Sequence, residues 1–256
     1  MDFDLISLII GVLAGIFIAT VFFLAGKKRD TRGLTIEEII VHEIKTSLTG
    51  LSWIFSNLSE VKPGDSVSGD ILELIREGKN KIDTAMEMAN DALIAINTSS
   101  SQTPYKFTRG NLVNVVGLIV EENKLGAKEK SINMQFLFDK DLPLMTFDEA
   151  RIILVARNLI ANAIKYSMIK GNVTIDIHKD ENKAVMSVSD TGIGIPAAEL
   201  AKVSNKFFRA TNTGEITGSG LGLFIVRNIV TGHGGTMDIQ SREGSGTKVT
   251  IFLPIK

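Results

Sequence analysis

The sequence contains no cysteine, which excludes a disulfide scaffold, a cysteine-ligated zinc ribbon and a thiol nucleophile. Only three histidines are present, so few side chains offer a reactive ring nitrogen. A charge excess is also missing, because 28 basic side chains against 29 acidic ones give a net charge of −1. This balance argues against direct binding of nucleic acid. Aromatic residues are 6% of the chain and hydrophobic residues 44%, so the hydrophobic excess is aliphatic.

The aliphatic excess lies at the N-terminus, where residues 5–26 carry no charge. At about 1.5 Å per residue, a helix of this length spans a bilayer core. Two aspartates precede the run and three basic residues at 27–29 follow it, so the positive-inside rule places the C-terminal side in the cytoplasm. A cleaved signal peptide is the alternative, but its basic start and polar cleavage region are absent. The sequence predicts a single-pass transmembrane helix in the plasma (inner) membrane, followed by a basic linker at 27–34.

A helical hairpin is predicted over residues 35–97. Thr35 and Glu38 form a capping-box pattern that opens an amphipathic helix. The apolar residues of this helix lie opposite His42, which places the imidazole toward solvent. A turn and a second amphipathic helix follow, and two such hairpins bury their apolar stripes best as a four-helix bundle. The pattern therefore predicts a homodimer, with a polar linker at 98–104.

After this linker the pattern changes to mixed helices and strands, which predicts one two-layer α+β domain over residues 105–256. Helices are expected near 111–128, 148–167, 197–204 and 221–231, and strands near 105–108, 132–138, 144–147, 172–178, 183–190, 235–240 and 246–253.

Two polar features of this domain are candidates for chemistry. The helix near 148–167 carries Asn158, Asn162 and Lys165 on one face. Standing alone, this pattern also fits an ordinary solvated face. In the strand ending at Asp190, alternation places the carboxylate on the same side as core residues, so it needs a polar partner.

Two glycine clusters flank the next segment of the chain. Gly192 and Gly194 directly follow Asp190, where they let the backbone approach a ligand closely. Residues 218–223 read GSGLGL and run into a helix, whose first N–H groups suit a phosphate. Neither cluster has the dinucleotide-binding or the Walker spacing.

Taken in order, these segments resemble the sensor histidine kinases of bacterial two-component systems, which join a HisKA-type dimerisation hairpin to a GHKL-type ATP-binding domain. Residues 42–48 resemble the phosphoacceptor box, 157–167 the asparagine box and 190–196 the first glycine box. Residues 207–209 and 218–223 complete the set. Five motifs in the family's order are far more specific than any one of them.

The resemblance implies a Bergerat-type ATP-binding fold that uses ATP with Mg²⁺. Asp190 would accept a hydrogen bond from the adenine amino group, and Asn162 would hold Mg²⁺ through its amide oxygen. Asn158, Lys165 and Arg209 would lie near the phosphates, where they offset charge. A mobile lid would span about 197–219. The other residues that the resemblance assigns to the ATP site are Tyr166, Gly192, Gly194, Gly218, Gly220, Leu221, Gly222 and Thr247.

The resemblance also implies the reaction. His42 would attack the γ-phosphate of ATP through a neutral ring nitrogen, and Glu43 would hold the proton of the other ring nitrogen. The phosphoryl group would then pass to an aspartate in the receiver domain of a separate response regulator. Thr46, one helical turn after His42, completes a pattern that resembles the family's phosphatase motif. The remaining histidines, His178 and His233, are interpreted as structural.

The chain departs from the family pattern at several points. Ser47 stands where a proline is usual, which weakens the expected kink. Ser204 and Asn205 replace an aromatic and an acidic residue, and are expected to loosen the lid. Residues 27–34 leave no room for a sensor module, so input is expected from within the membrane or from a membrane sensory partner.

Two alternatives to the kinase stay open. A pseudokinase scaffold would bind nucleotide at the membrane and dock a partner without phosphotransfer. An ATPase of the same superfamily would use water as the acceptor, but it would not need a histidine hairpin before the domain.

Overall fold

A computed structural model describes residues 49, 69–99, 104–214, 216 and 218–255. The predicted membrane helix, the basic linker and the predicted phosphoacceptor residues His42, Glu43 and Thr46 lie outside the described residues. Within the described ranges, no helix is long and apolar enough to cross a membrane.

The chain divides into two compact units, with the boundary between Ala92 and Leu93. Helix α1 (Gly69–Ser99) corresponds to the second helix of the predicted hairpin. It continues to Ser99, into the stretch predicted to be a linker. The hydroxyl of Thr98 donates to the carbonyl of Ile94 at 2.9 Å, so this polar side chain is accommodated within the helix.

The C-terminal unit is a two-layer α+β domain, which confirms the fold class predicted for this region. Its elements are β1 (Thr108–Gly110), α2 (Leu112–Glu129), β2 (Asn133–Phe138), β3 (Met145–Phe147), α3 (Glu149–Tyr166), β4 (Asn172–Asp180), β5 (Lys183–Asp190), α4 (Gly222–Gly232), β6 (Thr236–Arg242) and β7 (Gly246–Pro254). Strands β1 and β3 form a small antiparallel pair. The main sheet has the order β2-β4-β5-β7-β6, in which β2 runs parallel to β4 and the other neighbours are antiparallel.

The core lies between this sheet and helices α2, α3 and α4, which pack against it. Val173, Ile175 and Ile177 alternate along β4 and are fully buried, as the period of two in a strand requires. Ile152 and Ile160 of α3 are also fully buried. The sheet and the helices thus share one hydrophobic layer.

Two predicted elements differ in the structure. The helix expected at 197–204 is reduced to a 3-10 turn, Ala197–Glu199. The carboxylate of Glu199 instead binds the backbone N–H and the hydroxyl of Thr211, at 3.0 and 2.9 Å. The strand expected at 105–108 begins only at Thr108, because the N–H of Lys106 donates to Asp148 Oδ2 at 2.8 Å. In both places a long-range side-chain contact overrides the local pattern.

His233, at the end of α4, links several elements of the domain. Its Nε2 accepts a hydrogen bond from the N–H of Asp148 at 3.0 Å, and its Nδ1 lies 2.8 Å from the carbonyl of Ile229. The rings of Tyr105 and Phe107 pack edge-on against the imidazole, with centroids 5.2 and 5.3 Å away. These contacts give His233 the structural role expected from the sequence.

Candidate functional site

The polar face of α3 is present as predicted. Asn158, Asn162 and Lys165 are half-buried, while Leu159, Ile160 and Ala163 between them are buried. Asp148 caps the helix by accepting the N–H of Arg151 at 3.2 Å, which fixes where the helix starts. The Nδ2 of Asn158 donates to the carbonyl of Leu154 at 2.9 Å. Its Oδ1 therefore points away from that carbonyl.

The second glycine cluster packs directly on this face. A Cβ added to Gly222 would lie 2.7 Å from Asn158 Oδ1 and 3.4 Å from Asn162 Nδ2. A Cβ added to Gly218 would lie 3.0 Å from Lys165 Nζ and 3.8 Å from Tyr166 Oη. These glycines therefore bring backbone close to amide, amine and phenol groups. A side chain at Gly222 would meet the Asn158 amide, and one at Gly218 would require the Lys165 amine to shift.

Helix α4 begins at Gly222 in this region. The preceding Leu221 is buried, and its N–H is bound by the hydroxyl of Ser219 at 3.2 Å. The N–H groups at the start of a helix attract anions. The region therefore joins a helix N-terminus to the amides of Asn158 and Asn162 and the amine of Lys165, a combination suited to phosphate.

Asp190 ends β5 and lies opposite Thr247 of β7. Its Oδ1 accepts the N–H of Gly192 at 2.8 Å. Burial raises the pKa of Asp190, while hydrogen bonds from the backbone of Gly192 and Thr247 partly offset this rise. These N–H groups are the partners that a carboxylate on a core-facing position requires.

The first glycine loop connects Asp190 to the end of α3. The N–H of Ile193 donates to the carbonyl of Tyr166 at 3.2 Å, and Gly192 forms a bridge with Ser167. A Cβ on Gly192 would clash with the Tyr166 carbonyl. Gly194 has a φ of +64°, and a Cβ there would clash with the Arg242 carbonyl. The two predicted halves of the site, at Asp190 and on α3, thus meet at Tyr166.

The segment between the two glycine clusters is held by side-chain hydrogen bonds at two internal points. Ser204 accepts a hydrogen bond from Arg227 Nη1 of α4 at 3.0 Å, and Asn212 Nδ2 donates to the carbonyl of Gly194 at 3.0 Å. Ser204 therefore contacts α4 directly, and the loosening expected at Ser204 and Asn205 stays a prediction. The guanidinium of Arg209 is exposed and donates to the carbonyl of Ile216. Both residues belong to the predicted lid, so this contact is made within the lid itself.

Sequence reasoning missed Ser241. Its hydroxyl lies 2.9 Å from the N–H of Ile195, 2.8 Å from the carbonyl of Gly246 and 2.8 Å from Thr247 Oγ1. Ser241 is opposite Thr247 in the β6–β7 pairing. Only the register of this pairing, which the sequence pattern left undefined, identifies the contact.

Among the described residues, no group of three or more histidine, aspartate or glutamate side chains could hold a metal ion. The half-buried Asn162 amide fits a different arrangement. Mg²⁺ commonly keeps its waters and phosphate ligands and takes one or two hard oxygens from the protein. The donor set therefore fits Mg²⁺ that arrives with a nucleotide.

Residues 147–256 match the family described as histidine kinase-, DNA gyrase B-, and HSP90-like ATPase. This range contains the polar face of α3, Asp190, both glycine clusters and Thr247. The match supports ATP as the ligand of this part of the C-terminal domain.

The homologues of the chain are sensor histidine kinases. Sensor histidine kinase WalK of Bacillus subtilis (strain 168) is 33% identical over 224 residues, which cover 85% of this chain and 36% of WalK. The catalytic domain of histidine kinase ThkA is 28% identical with a TM-score of 0.53, covering 59% of this chain and 96% of that domain. ThkA in complex with the response regulator protein TrrA shares the fold, with a TM-score of 0.65 and 22% identity over 85% of this chain and 60% of that one. The chain thus spans about a third of the length of its relative WalK.

Proposed function

We propose that this chain is the kinase of a two-component system, which transfers the γ-phosphoryl group of ATP to His42 and then to a response regulator. The observation that carries the proposal is the convergence of Asp190, the asparagine face of α3 and the start of α4 at Gly222 in one domain of the ATPase family. The similarity to WalK over 85% of the chain supports extending it to the histidine.

In this proposal, the two ends of the site hold opposite ends of the nucleotide. The carboxylate of Asp190 accepts from the adenine amino group, because an ionised carboxylate has acceptor sites beyond the bonds that it takes from the backbone of Gly192 and Thr247. Lys165 and the N–H groups at Gly222 hold the phosphates. Asn162, with Asn158 beside it, would hold Mg²⁺, which would neutralise charge on the phosphates.

The proposed reaction places the nucleophile on the predicted hairpin. A neutral ring nitrogen of His42 forms a bond to the γ-phosphorus as the bond from that phosphorus to the β–γ bridging oxygen breaks and ADP leaves. Glu43 holds the proton on the other ring nitrogen and stabilises the developing imidazolium charge. The phosphoryl group then passes to an aspartate of a response regulator, the kind of partner seen with ThkA. In the phosphatase reaction, Thr46 orients a water that attacks the phosphorus of the regulator's aspartyl phosphate, so that the aspartate leaves and inorganic phosphate is released.

The kinase is anchored in the membrane and is dimeric. Residues 5–26 anchor the chain in the plasma (inner) membrane, and the kinase region lies in the cytoplasm. Residues 35–97 form the homodimeric hairpin. Input arrives within the membrane or through a membrane sensory partner.

The decisive experiment incubates the full chain in lipid nanodiscs with Mg²⁺ and γ-labelled ATP. We expect acid-labile, alkali-stable label on the wild type and none on His42→Gln, since phosphohistidine has this stability pattern, whereas phosphoesters are stable in acid and acyl phosphates are labile in alkali. His178→Gln is the matched control, because His178 lies in β4 and pairs with Asp176 at 2.7 Å, apart from the proposed site. This variant should keep the label.

A wild-type chain that binds ATP and is dimeric but takes up no label would support the pseudokinase scaffold instead. Label that persists in His42→Gln would show that His42 is not the acceptor.

A further inference from the structure

Three polar side chains form a row on the face of the sheet that packs against the helices. Ser241 of β6 is opposite Thr247 of β7, and Thr247 is opposite Asp190 of β5. Directly paired residues of antiparallel strands project to the same face, with Cβ atoms about 5 Å apart. Each member of the row is therefore within reach of the next.

The single proton of the Ser241 hydroxyl is donated in a hydrogen bond within the protein. The carbonyl of Gly246, 2.8 Å away, can only accept, so Ser241 donates to it. The N–H of Ile195 occupies one lone pair of Ser241 at 2.9 Å. The remaining contact, between Ser241 Oγ and Thr247 Oγ1 at 2.8 Å, therefore requires Thr247 to be the donor.

This assignment decides what Thr247 offers to a ligand. Because the proton of its hydroxyl points to Ser241, the remaining lone pairs of Oγ1 can only accept. The neighbouring carboxylate of Asp190 is also an acceptor when ionised. The base end of the site thus presents two acceptors side by side.

We propose that Ser241 is a positioning residue that sets nucleobase specificity, by fixing the hydroxyl of Thr247 as an acceptor beside Asp190. The inference rests on the proposed function, in which this end of the site receives the base. A purine with an exocyclic amino group at this edge supplies N–H donors to the pair. A purine without that group leaves buried acceptors unsatisfied, which is the stronger source of discrimination.

Ser241 also supports the loop that holds Asp190. Its bond to Ile195 ties the first glycine loop to the β6–β7 turn, next to the bond from the N–H of Gly244 to the carbonyl of Ile193 at 2.8 Å. The same loop carries Gly192, whose N–H binds Asp190. Loss of the Ser241 hydroxyl therefore removes the contact that orients Thr247 and a contact that supports the loop holding Asp190.

The test measures binding of ATP and of purine riboside triphosphate, which lacks the amino group, to the full chain by calorimetry. We expect wild type to prefer ATP. Ser241→Ala should weaken ATP binding about tenfold, as expected for the loss of about one aligned hydrogen bond, and change binding of the amino-free nucleotide by less than about twofold. Ser241→Thr, which keeps the hydroxyl, should restore the preference.

Two further variants separate this role from general stability. Ser245→Ala removes an exposed hydroxyl from the same turn and should change neither affinity. In a Thr247→Val background, Ser241→Ala should alter the ratio of the two affinities less than it does in the wild type, because the hydroxyl it orients is absent and only its support of the Asp190 loop remains. If thermal unfolding shows that Ser241→Ala is misfolded, Ser241→Cys replaces it, since a thiol is a poor donor and acceptor.

The outcomes are distinguishable. If Ser241→Ala weakens binding of both nucleotides equally, or of neither, the positioning role is overturned. The proposed function still stands in that case, provided that the wild type binds ATP. A wild-type chain that binds neither nucleotide would overturn the proposed function and this inference with it.

Discussion

Among single residues, burial shifts the pKa values of Asp190 and His233 in opposite directions. Asp190 is bound by backbone N–H groups at a position where a ligand donor can reach it, and burial raises its pKa. His233 is buried between Asp148 and Ile229, and burial lowers its pKa. Its Nε2 must be unprotonated to accept the N–H of Asp148, so the folded domain requires the neutral imidazole.

This requirement predicts a pH dependence of stability. The unfolded chain protonates this histidine as the pH falls through about 6.5, whereas the folded domain resists protonation until a lower pH. The unfolded state then binds more protons, so the free energy of unfolding falls over that interval and is at full value above it. Asp148 and Arg151, which face the imidazole, act on it in opposite directions.

The measurement is urea unfolding followed by circular dichroism at pH 7.5 and at pH 5.5. His233→Gln should flatten the difference between the two pH values, at a cost of about 1 to 3 kcal/mol from a disturbed buried contact. A wild-type protein equally stable at both values would contradict the prediction.

At the scale of elements, the site depends on how closely α4 approaches α3. The approach is set by Gly222, where any side chain would meet Asn158 Oδ1. That amide cannot turn away without breaking its bond to the carbonyl of Leu154. The glycine is therefore required for packing rather than for its backbone angles.

We expect Gly222→Ala to lower ATP affinity by more than about tenfold, because the added methyl displaces an amide of the site by a fraction of an ångström. Gly126→Ala is the matched control, since it lies in α2 and has no atom within 4 Å of an added Cβ. It should leave affinity unchanged and stabilise the domain by up to about 1 kcal/mol, the difference in helix propensity. Calorimetric titration with ATP and thermal unfolding measure both effects, and equal affinities of the two variants would refute the argument.

At the scale of the whole molecule, groups far apart in the chain form one site. Asn158 and Asn162 come from α3, Asp190 from β5, Gly222 from the start of α4 and Thr247 from β7. The strand order places β5 beside β7, which brings Asp190 opposite Thr247. Nucleotide binding should therefore stabilise the domain as one body.

This coupling predicts that ATP raises the thermal midpoint of the full chain. A ligand at one hundred times its dissociation constant contributes about 2.7 kcal/mol. Asp190→Asn should lose most of this shift, because it replaces an acceptor by an amide, yet keep its own stability within about 1 kcal/mol, because the Asn carbonyl can still bind Gly192. His42→Gln should keep the full shift, since His42 is proposed to react with ATP and not to bind it. An unchanged shift in Asp190→Asn would place the base elsewhere.

Local periodicity of the sequence specifies several parts of the site directly. Helical spacing indicates the polar face of α3 at Asn158 and Asn162, and strand alternation places the Asp190 carboxylate on a core-facing position. Both glycine clusters are also evident in the sequence. These features depend on neighbours within one or two turns or strands, so the chain encodes them directly.

Tertiary structure alone decided which distant groups meet. The bond of His233 to Asp148, the row from Ser241 to Asp190, and the replacement of the 197–204 helix by a turn bound through Glu199 all join separate elements. Such contacts depend on strand register and on the packing of helices against the sheet, which a single sequence does not specify.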